Sequence, residues 1–319
     1  MVTCVAQTLN FTLPEATPCR DGCQNFTERW AERALAMDAK AHALGLPWNL
    51  TYIVGFDAGT GGGQSCSQAT IRQSEPSIVQ LAALAADLGP RAVWDCHTGG
   101  DSPSDGNVTA GALAELRSIL VAEGSSMRAA VLEENGGTHN MLRMLGHVTQ
   151  NHALSRLGEF VVVNTAATGL QPLGRNSNGW DQGNIYFTPQ TAWLAPPATA
   201  TRMIAEAAEG LVHVLQVTQA HPHDDNKQHE ALDVLASANS DGTEIGVRVA
   251  NPSNFTEHAI LLLDGWSTGV ILVQELAANS PMAVHAEVVH INTTVKRLAS
   301  NGWSFPPYSY VTFRVIADE

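Results

Sequence analysis

The stretch "RAAVLEENGGTHN", residues 128–140, decides how the rest of the chain is read. A short apolar run, Ala129-Ala130-Val131-Leu132, reads as a buried strand, yet it ends on Glu133 and Glu134. An unpaired carboxylate in an apolar interior is costly. Adjacent side chains of an extended chain point to opposite faces. One glutamate can therefore reach solvent while the other is aimed elsewhere, and the neighbouring elements have to say where.

Working outward, strands and helices alternate. Upstream, "TAGALAELRSILVAEG" (109–124) reads as a helix closed by glycine, and "RAVWDCH" (91–97) as a strand. Before them come a helix over 76–89, a strand over 49–56 and an Ala-rich helix over 27–45. Downstream, 137–158 reads as a helix, "EFVVVNTA" (159–166) as a strand, and about 197–216 as a further helix. Such alternation predicts buried parallel strands with helical crossovers. Half of a (β/α)8 barrel and part of an open doubly wound sheet both satisfy it. Asp57, His97, Glu133 and Asn164 all fall at strand C-termini, which in a barrel meet at one mouth. The expectation is an α/β fold, (β/α)8-barrel-like.

The texture changes at "QAHPHDDNKQHE" (219–230), which is polar and without period. Its His221, His223, Asp224, Asp225 and His229 could chelate a metal, but a solvated linker is the plainer reading. From 231 onward helical patterns vanish, and segments such as "TEIGVRVANPS" and "YSYVTFRVI" alternate apolar and polar residues between turn signals. That predicts an all-β sandwich. The expected division is a partial barrel over 1–218, a linker over 219–230 and a sandwich over 231–319.

Charge narrows the function. Seventeen Lys and Arg stand against 31 Asp and Glu, a net charge of −14, which argues against nucleic acid and anionic membranes as partners. No apolar run is long enough for a membrane span. The five cysteines, at 4, 19, 23, 66 and 96, are odd in number. Cys19 and Cys23 could bridge each other or Cys4. The glycosylation acceptor pattern occurs at Asn10, Asn25, Asn49, Asn107, Asn254 and Asn292, supporting a secreted or lumenal protein. The N-terminus has neither a basic n-region nor a long apolar h-region. A phosphate loop at Gly61–Gly63 lacks the full glycine fingerprint. No cofactor and no metal are expected.

A strand-end mouth carrying a glutamate, a histidine and amides suits carbohydrate chemistry, in which a carboxylate serves as nucleophile. Glu133 is the candidate, with His97 and Asp95 orienting it or binding sugar hydroxyls. Capping the helix that follows is the alternative role for Glu133. Three stretches add a resemblance. "VLEENGG", "VWDCHTGGDSP" and "WDQGNIYFTP", with the closing "PPYSYVTFRV", are similar to segments of the α-L-arabinofuranosidases of glycoside hydrolase family 51. The likeness runs over about residues 25–319. It implies a retaining glycosidase with Glu133 as nucleophile, and His97, Asp95, Glu134, Asn135 and Trp180 at the substrate. Glu134 stands where the family carries an aromatic residue. The family's acid/base lies in a Gly-Asn-Glu motif, and the residues upstream of the first helix contain only Glu15. The resemblance therefore implies the second half of a catalytic domain, incomplete at its N-terminus, followed by its sandwich. A non-catalytic carbohydrate-binding relative is the alternative.

Overall fold

The computed structural model describes residues 24–46, 50–55, 66–174, 181–219, 232–266 and 268–318. Four strands form one parallel sheet in strictly sequential order: β1 (Tyr52–Gly55), β2 (Ala92–Gly99), β3 (Arg128–Asn135) and β4 (Val161–Ala166). Helix α1 (Gln24–Ala43) precedes β1. The crossovers carry α2 (Gln68–Gln73) and α3 (Glu75–Leu84), then α4 (Asp105–Ala122), then α5 (Met141–Ser155). Doubly wound sheets reverse strand order at a switch point, and this sheet does not. Trp30, Ile71, Ile78, Leu81, Leu113, Leu116 and Leu120 of the helices pack with Tyr52, Val54, Trp94, Cys96, Ala129 and Val131 of the strands in one buried cluster. The helices thus cover one face of the sheet, as they do the outside of a barrel. A mixed α/β, barrel-like unit followed by a β-sandwich is what the architecture supports; among the described residues the parallel sheet is open.

Several expectations need correction. The helix expected over 76–89 is α3 followed by a 3-10 turn over Ala86–Arg91, and a separate short helix, α2, precedes it. Ser67 caps α2 through the Thr70 N–H, and Pro76 begins a new helix at α3 rather than continuing the old one. After β4 comes a small sheet with no counterpart in the sequence reading: β5 (Thr168–Pro172), β6 (Gly183–Phe187) and β7 (Ala192–Leu194). Its strands have three to five residues, too few to display a period. The helix expected to reach 216 is α6 (Pro196–Ala208), and β8 (His213–Leu215) already belongs to the second sheet.

That second sheet is antiparallel, with strand order β13 (Glu287–Thr294), β12 (Val270–Ala277), β15 (Ser309–Ile316), β10 (Glu244–Asn251), β9 (Asp233–Ala238) and β8. A two-stranded sheet of β11 (Glu257–Ala259) and β14 (Trp303–Phe305) lies over one face. Val247, Val249, Ile271, Val273, Phe305, Val311 and Phe313 fill the sandwich. One helix, α7 (Val295–Asn301), contradicts the reading that helices vanish after 231. Thr294 caps it, Gly302 ends it at φ 69°, and Val295 and Leu298, one turn apart, are its buried contacts. Among the described residues no helix is long and apolar enough to cross a membrane.

The other face of the large sheet packs on α5 and α6. Met141, Met144, Leu145, Val148 and Met203 meet Ala250, Leu276 and Tyr310 in a common buried cluster. A polar contact sits in the same seam: His152 Nδ1 is 2.9 Å from Asp233 Oδ2, and Arg156 Nη2 is 2.6 Å from Oδ1. His152 is fully buried, and its Nε2 has no hydrogen-bond partner among the described residues. A proton there would be stranded, so the neutral ring donates from Nδ1. Burial, outweighing the attraction of Asp233, pulls the His152 pKa below its ordinary 6.5. Burial raises the Asp233 pKa, but His152 and Arg156 outweigh it and hold the carboxyl below the ordinary 3.8.

Both depressions give stability that acid removes. The unfolded chain protonates His152 near pH 6.5 while the folded chain resists, so stability falls as pH drops from 6.5 toward the lower folded value. Asp233 adds a second loss below pH 3.8. We expect the chemical-denaturation midpoint to fall between pH 7.5 and 5.5, and less steeply in His152→Asn, whose amide keeps a donor without titrating. Equal slopes in the two proteins count against this assignment.

Candidate active site

The site is built on the register of β2 and β3. Asp95 pairs with Ala130, but the next matched pair is His97 with Glu133: β2 advances two residues while β3 advances three. This extra residue is a bulge, and a one-residue slip sends every following side chain to the other face. Val131 packs on the helices. Plain alternation would send Glu133 after it. The bulge instead turns Glu133 to the open face beside His97 and sends Glu134 into the helix layer.

Glu133 Oε2 lies 3.2 Å from His97 Nδ1, and the two side chains are 35% and 44% exposed. His97 Nε2 is 3.1 Å from Asp95 Oδ2, while Asp95 Oδ1 accepts the Leu132 N–H at 3.1 Å. Asp95 is buried. It positions the His97 ring and the backbone next to Glu133, and does not itself face solvent. The result is a line of three groups, Asp95–His97–Glu133, ending in an accessible carboxylate at the C-terminal end of the sheet.

Glu134, expected at the substrate, is fully buried. His147 Nδ1 lies 2.9 Å from both carboxylate oxygens, and Asn164 Nδ2 donates to Oε2 at 3.1 Å. Arg143 Nη2 donates to the Glu134 carbonyl at 3.2 Å. Its Nη1 comes within 3.0 Å of Oε1 but off the N–H axis, so that contact is coulombic rather than a hydrogen bond. Burial raises the Glu134 pKa, but His147, Arg143 and Asn164 outweigh it and leave the carboxyl below its ordinary range. His147 Nε2 continues to the Thr201 hydroxyl on α6 at 2.8 Å. The network leaves no spare room: a Cβ at Gly100 or Gly136 would overlap the Arg143 guanidinium. Glu134 is therefore an anchor that ties the end of β3 to α5 and α6.

Of the other expected residues, Asn135 is half-buried, and its Oδ1 is enclosed with no partner among the described residues. Asp57, Gly61–Gly63 and Trp180 lie outside the described residues, as do Cys4, Cys19, Cys23 and the histidines and aspartates of 221–229. The structure adds residues that sequence reasoning missed. His139 Nδ1 is 2.8 Å from Asp181 Oδ2, and the Tyr186 hydroxyl donates to Asp181 Oδ1 at 2.7 Å. Burial and Asp181 hold the Tyr186 hydroxyl protonated well above its ordinary value. Gln182 Oε1 accepts the Gly136 N–H at 2.7 Å, tying the small sheet to the loop after Glu133. "WDQGNIYFTP" contains three of these residues, but no periodicity links it to the strand end it supports. Among the described residues no group of three or more His, Cys, Asp or Glu is placed to hold a metal ion.

A disulfide joins Cys66 to Cys96, 30 residues apart. The Cys66 N–H donates to the His97 carbonyl at 2.7 Å, so the bridge also fixes the backbone that carries the His97 ring. A loop of this length is worth about 3–4 kcal/mol by the chain-entropy estimate. We expect Cys66→Ser/Cys96→Ser to lose about that much unfolding free energy, measured by denaturant titration. A loss below about 0.5 kcal/mol would show that the bridge adds nothing.

No protein-family model and no curated protein matches the chain. Solved structures do match in fold. An α-L-arabinofuranosidase from Thermotoga maritima, solved as an arabinose complex, matches at TM-score 0.64 and 12% identity, covering 91% of this chain and 62% of that one. A GH51 arabinofuranosidase from Xanthomonas axonopodis pv. citri matches at TM-score 0.57 and 13% identity, covering 98% and 77%. A family 44 xyloglucanase from Paenibacillus polymyxa matches at TM-score 0.54 and 11% identity, covering 92% and 61%. The chain thus spans about 62% of the length of the Thermotoga structure. The fold resembles that of the GH51 α-L-arabinofuranosidases.

Proposed function

We propose that this chain is a glycoside hydrolase of the retaining α-L-arabinofuranosidase kind, with Glu133 as its nucleophile. One observation carries the reading: at the C-terminal end of a parallel sheet the bulge presents Glu133, beside His97, while its neighbour Glu134 is withdrawn into a closed ion-pair network. The fold likeness to arabinofuranosidases, one of them solved with arabinose, supports a furanoside as substrate. In the reaction a Glu133 oxygen bonds to the anomeric carbon as the glycosidic C–O bond breaks and its electron pair leaves on the aglycone oxygen, which departs as an aryloxide. Water then cleaves the glycosyl ester, returning Glu133 as a carboxylate and releasing the sugar with retained configuration. His97 and Asp95 orient the nucleophile, and Asn135 contacts the sugar. Asp95 is buried behind His97 and does not serve as proton donor. Aryl arabinofuranosides, whose leaving groups need no proton, are therefore the substrates of choice.

The test is release of nitrophenol from 4-nitrophenyl α-L-arabinofuranoside, with the anomer of the first-formed sugar read by NMR. Arabinofuranoside cleavage with retention is expected; inversion, or a preference for the xyloside, overturns the assignment. A non-catalytic sugar-binding relative is the second reading, favoured by the absence of a second exposed carboxylate from the Asp95–His97–Glu133 line. It predicts arabinose binding without any nitrophenol release. We also place the protein outside the cytosol. The Cys66–Cys96 bridge favours an oxidising compartment, and the acceptor residues Asn107, Asn254 and Asn292 are exposed.

A further inference from the structure

A groove of about 1020 Å³ runs between the barrel-like unit and the sandwich, walled by β7 and α6 on one side and by β12, β13 and their connection on the other. Trp193, Arg202, Asn279, His285, Glu287 and His290 line it. It shares no residue with the Glu133 site. The charges in the lining balance, one Arg against one Glu, and on a chain of net charge −14 the groove offers a polyanion nothing. What it offers is flat rings beside short polar groups. A neutral sugar ring has that complement: an apolar C–H face that packs on an aromatic ring, and a rim of hydroxyls for amide, imidazole and carboxylate partners.

The groove is also fastened to the mouth. The Trp193 and His285 rings lie 5.4 Å apart, Trp193 stacks on Tyr186 at 6.0 Å, and Tyr186 meets the tilted ring of His139, four residues beyond Asn135, at 4.1 Å. The Met141 and Leu142 N–H groups, at the start of α5, donate to the Ala283 and Pro281 carbonyls in the groove wall. The groove is thus formed before any ligand arrives, which lowers the ordering cost of binding.

We propose that this groove is a saccharide-binding site for a neutral pentose oligosaccharide, separate from the Glu133 mouth. The site itself goes beyond the proposed activity, and the choice of a pentose rests on that reading. The test is calorimetric titration of Glu133→Gln, which blocks turnover, with an arabinosyl-substituted xylotetraose, and with an oligogalacturonide as the acidic control. Trp193→Ala and, separately, Asn279→Ala/His285→Ala are introduced into the same background. Asn279 and His285 are exposed, so that pair reports on binding even if Trp193→Ala fails to fold. The expected result is binding of the neutral probe that both groove variants weaken at least tenfold, with no binding of the galacturonide. If the mouth binds no sugar, the groove still titrates, with one site that the groove substitutions remove. Binding unchanged in the groove variants, equal affinity for the galacturonide, or no binding of the neutral probe overturns the proposal.

Discussion

Glu133→Gln is expected to lower turnover of an aryl α-L-arabinofuranoside by about 10³-fold or more, because it removes the atom that forms the covalent bond. Glutamine keeps the size of the side chain and can still face the His97 ring, so the fold is not at issue. Among the described residues the partly exposed Glu133 carboxylate makes a single ion-pair contact, with His97. Glu134→Gln, one residue along, touches no substrate, and its turnover per folded molecule should stay within a few-fold of the parent. The comparison is sharp because the two residues are chemically identical and adjacent. Turnover lost in Glu134→Gln but kept in Glu133→Gln would shift the nucleophile by one residue. Turnover unaffected in both would end the glycosidase reading. A gradation follows at His97. His97→Ala leaves the nucleophile in place but unoriented, so it should lower kcat while aryl arabinofuranoside hydrolysis stays measurable.

How much of this was legible beforehand can be judged residue by residue. The four parallel strands and the helices between them were legible because each carries its own signal, an apolar run or a glycine-closed apolar periodicity over a dozen residues or more. The meeting of His97 and Glu133 was legible as a pair of strand ends. Which of Glu133 and Glu134 faces the mouth was not, on physical grounds alone, because both faces of a buried parallel strand are apolar. Family likeness pointed to Glu133, and the bulge between Asp95 and His97 supplies the physical reason. No local composition marks that bulge. The role of Glu134 was misread for a related cause: its partners Arg143 and His147 on α5 and Asn164 on β4, with Thr201 of α6 behind His147, come from three other elements, and only tertiary packing brings them together. The Cys66–Cys96 pair was invisible for want of any spacing rule. The helix over 295–301 was missed because a seven-residue segment beginning with Val shows a strand pattern as readily as a helical one.

The second large effect is on stability, and it belongs to Glu134. Glu134→Gln takes the negative charge from a site where Arg143 remains at 2% exposure, walled in by Gly100 and Gly136. Removing one partner of a buried ion pair leaves an uncompensated charge and costs about 3–5 kcal/mol. For a chain of this size that lowers the thermal midpoint by on the order of 10 °C. Glu133→Gln, whose side chain is partly in water, should move it by only about a degree or two. Attributing the loss to the stranded guanidinium, rather than to the shape of the side chain, requires a second substitution. In Glu134→Gln/Arg143→Met neither charge remains, and buried pairs replaced by uncharged groups of similar volume are often close to neutral. The double variant should therefore recover a large part of what the single one loses, a coupling visible in a double-mutant cycle. Recovery of the midpoint together with a loss of arabinofuranoside turnover per folded molecule in the double variant would assign the network a second task. It would mean that the pull of Arg143 and His147 on Glu134 holds the end of β3 in the bulged register that aims Glu133 at the mouth. Simple additivity of the two losses would instead mean that Arg143 is held by its surroundings independently of the carboxylate, and the anchor would then have to be sought in the His147–Thr201 contact.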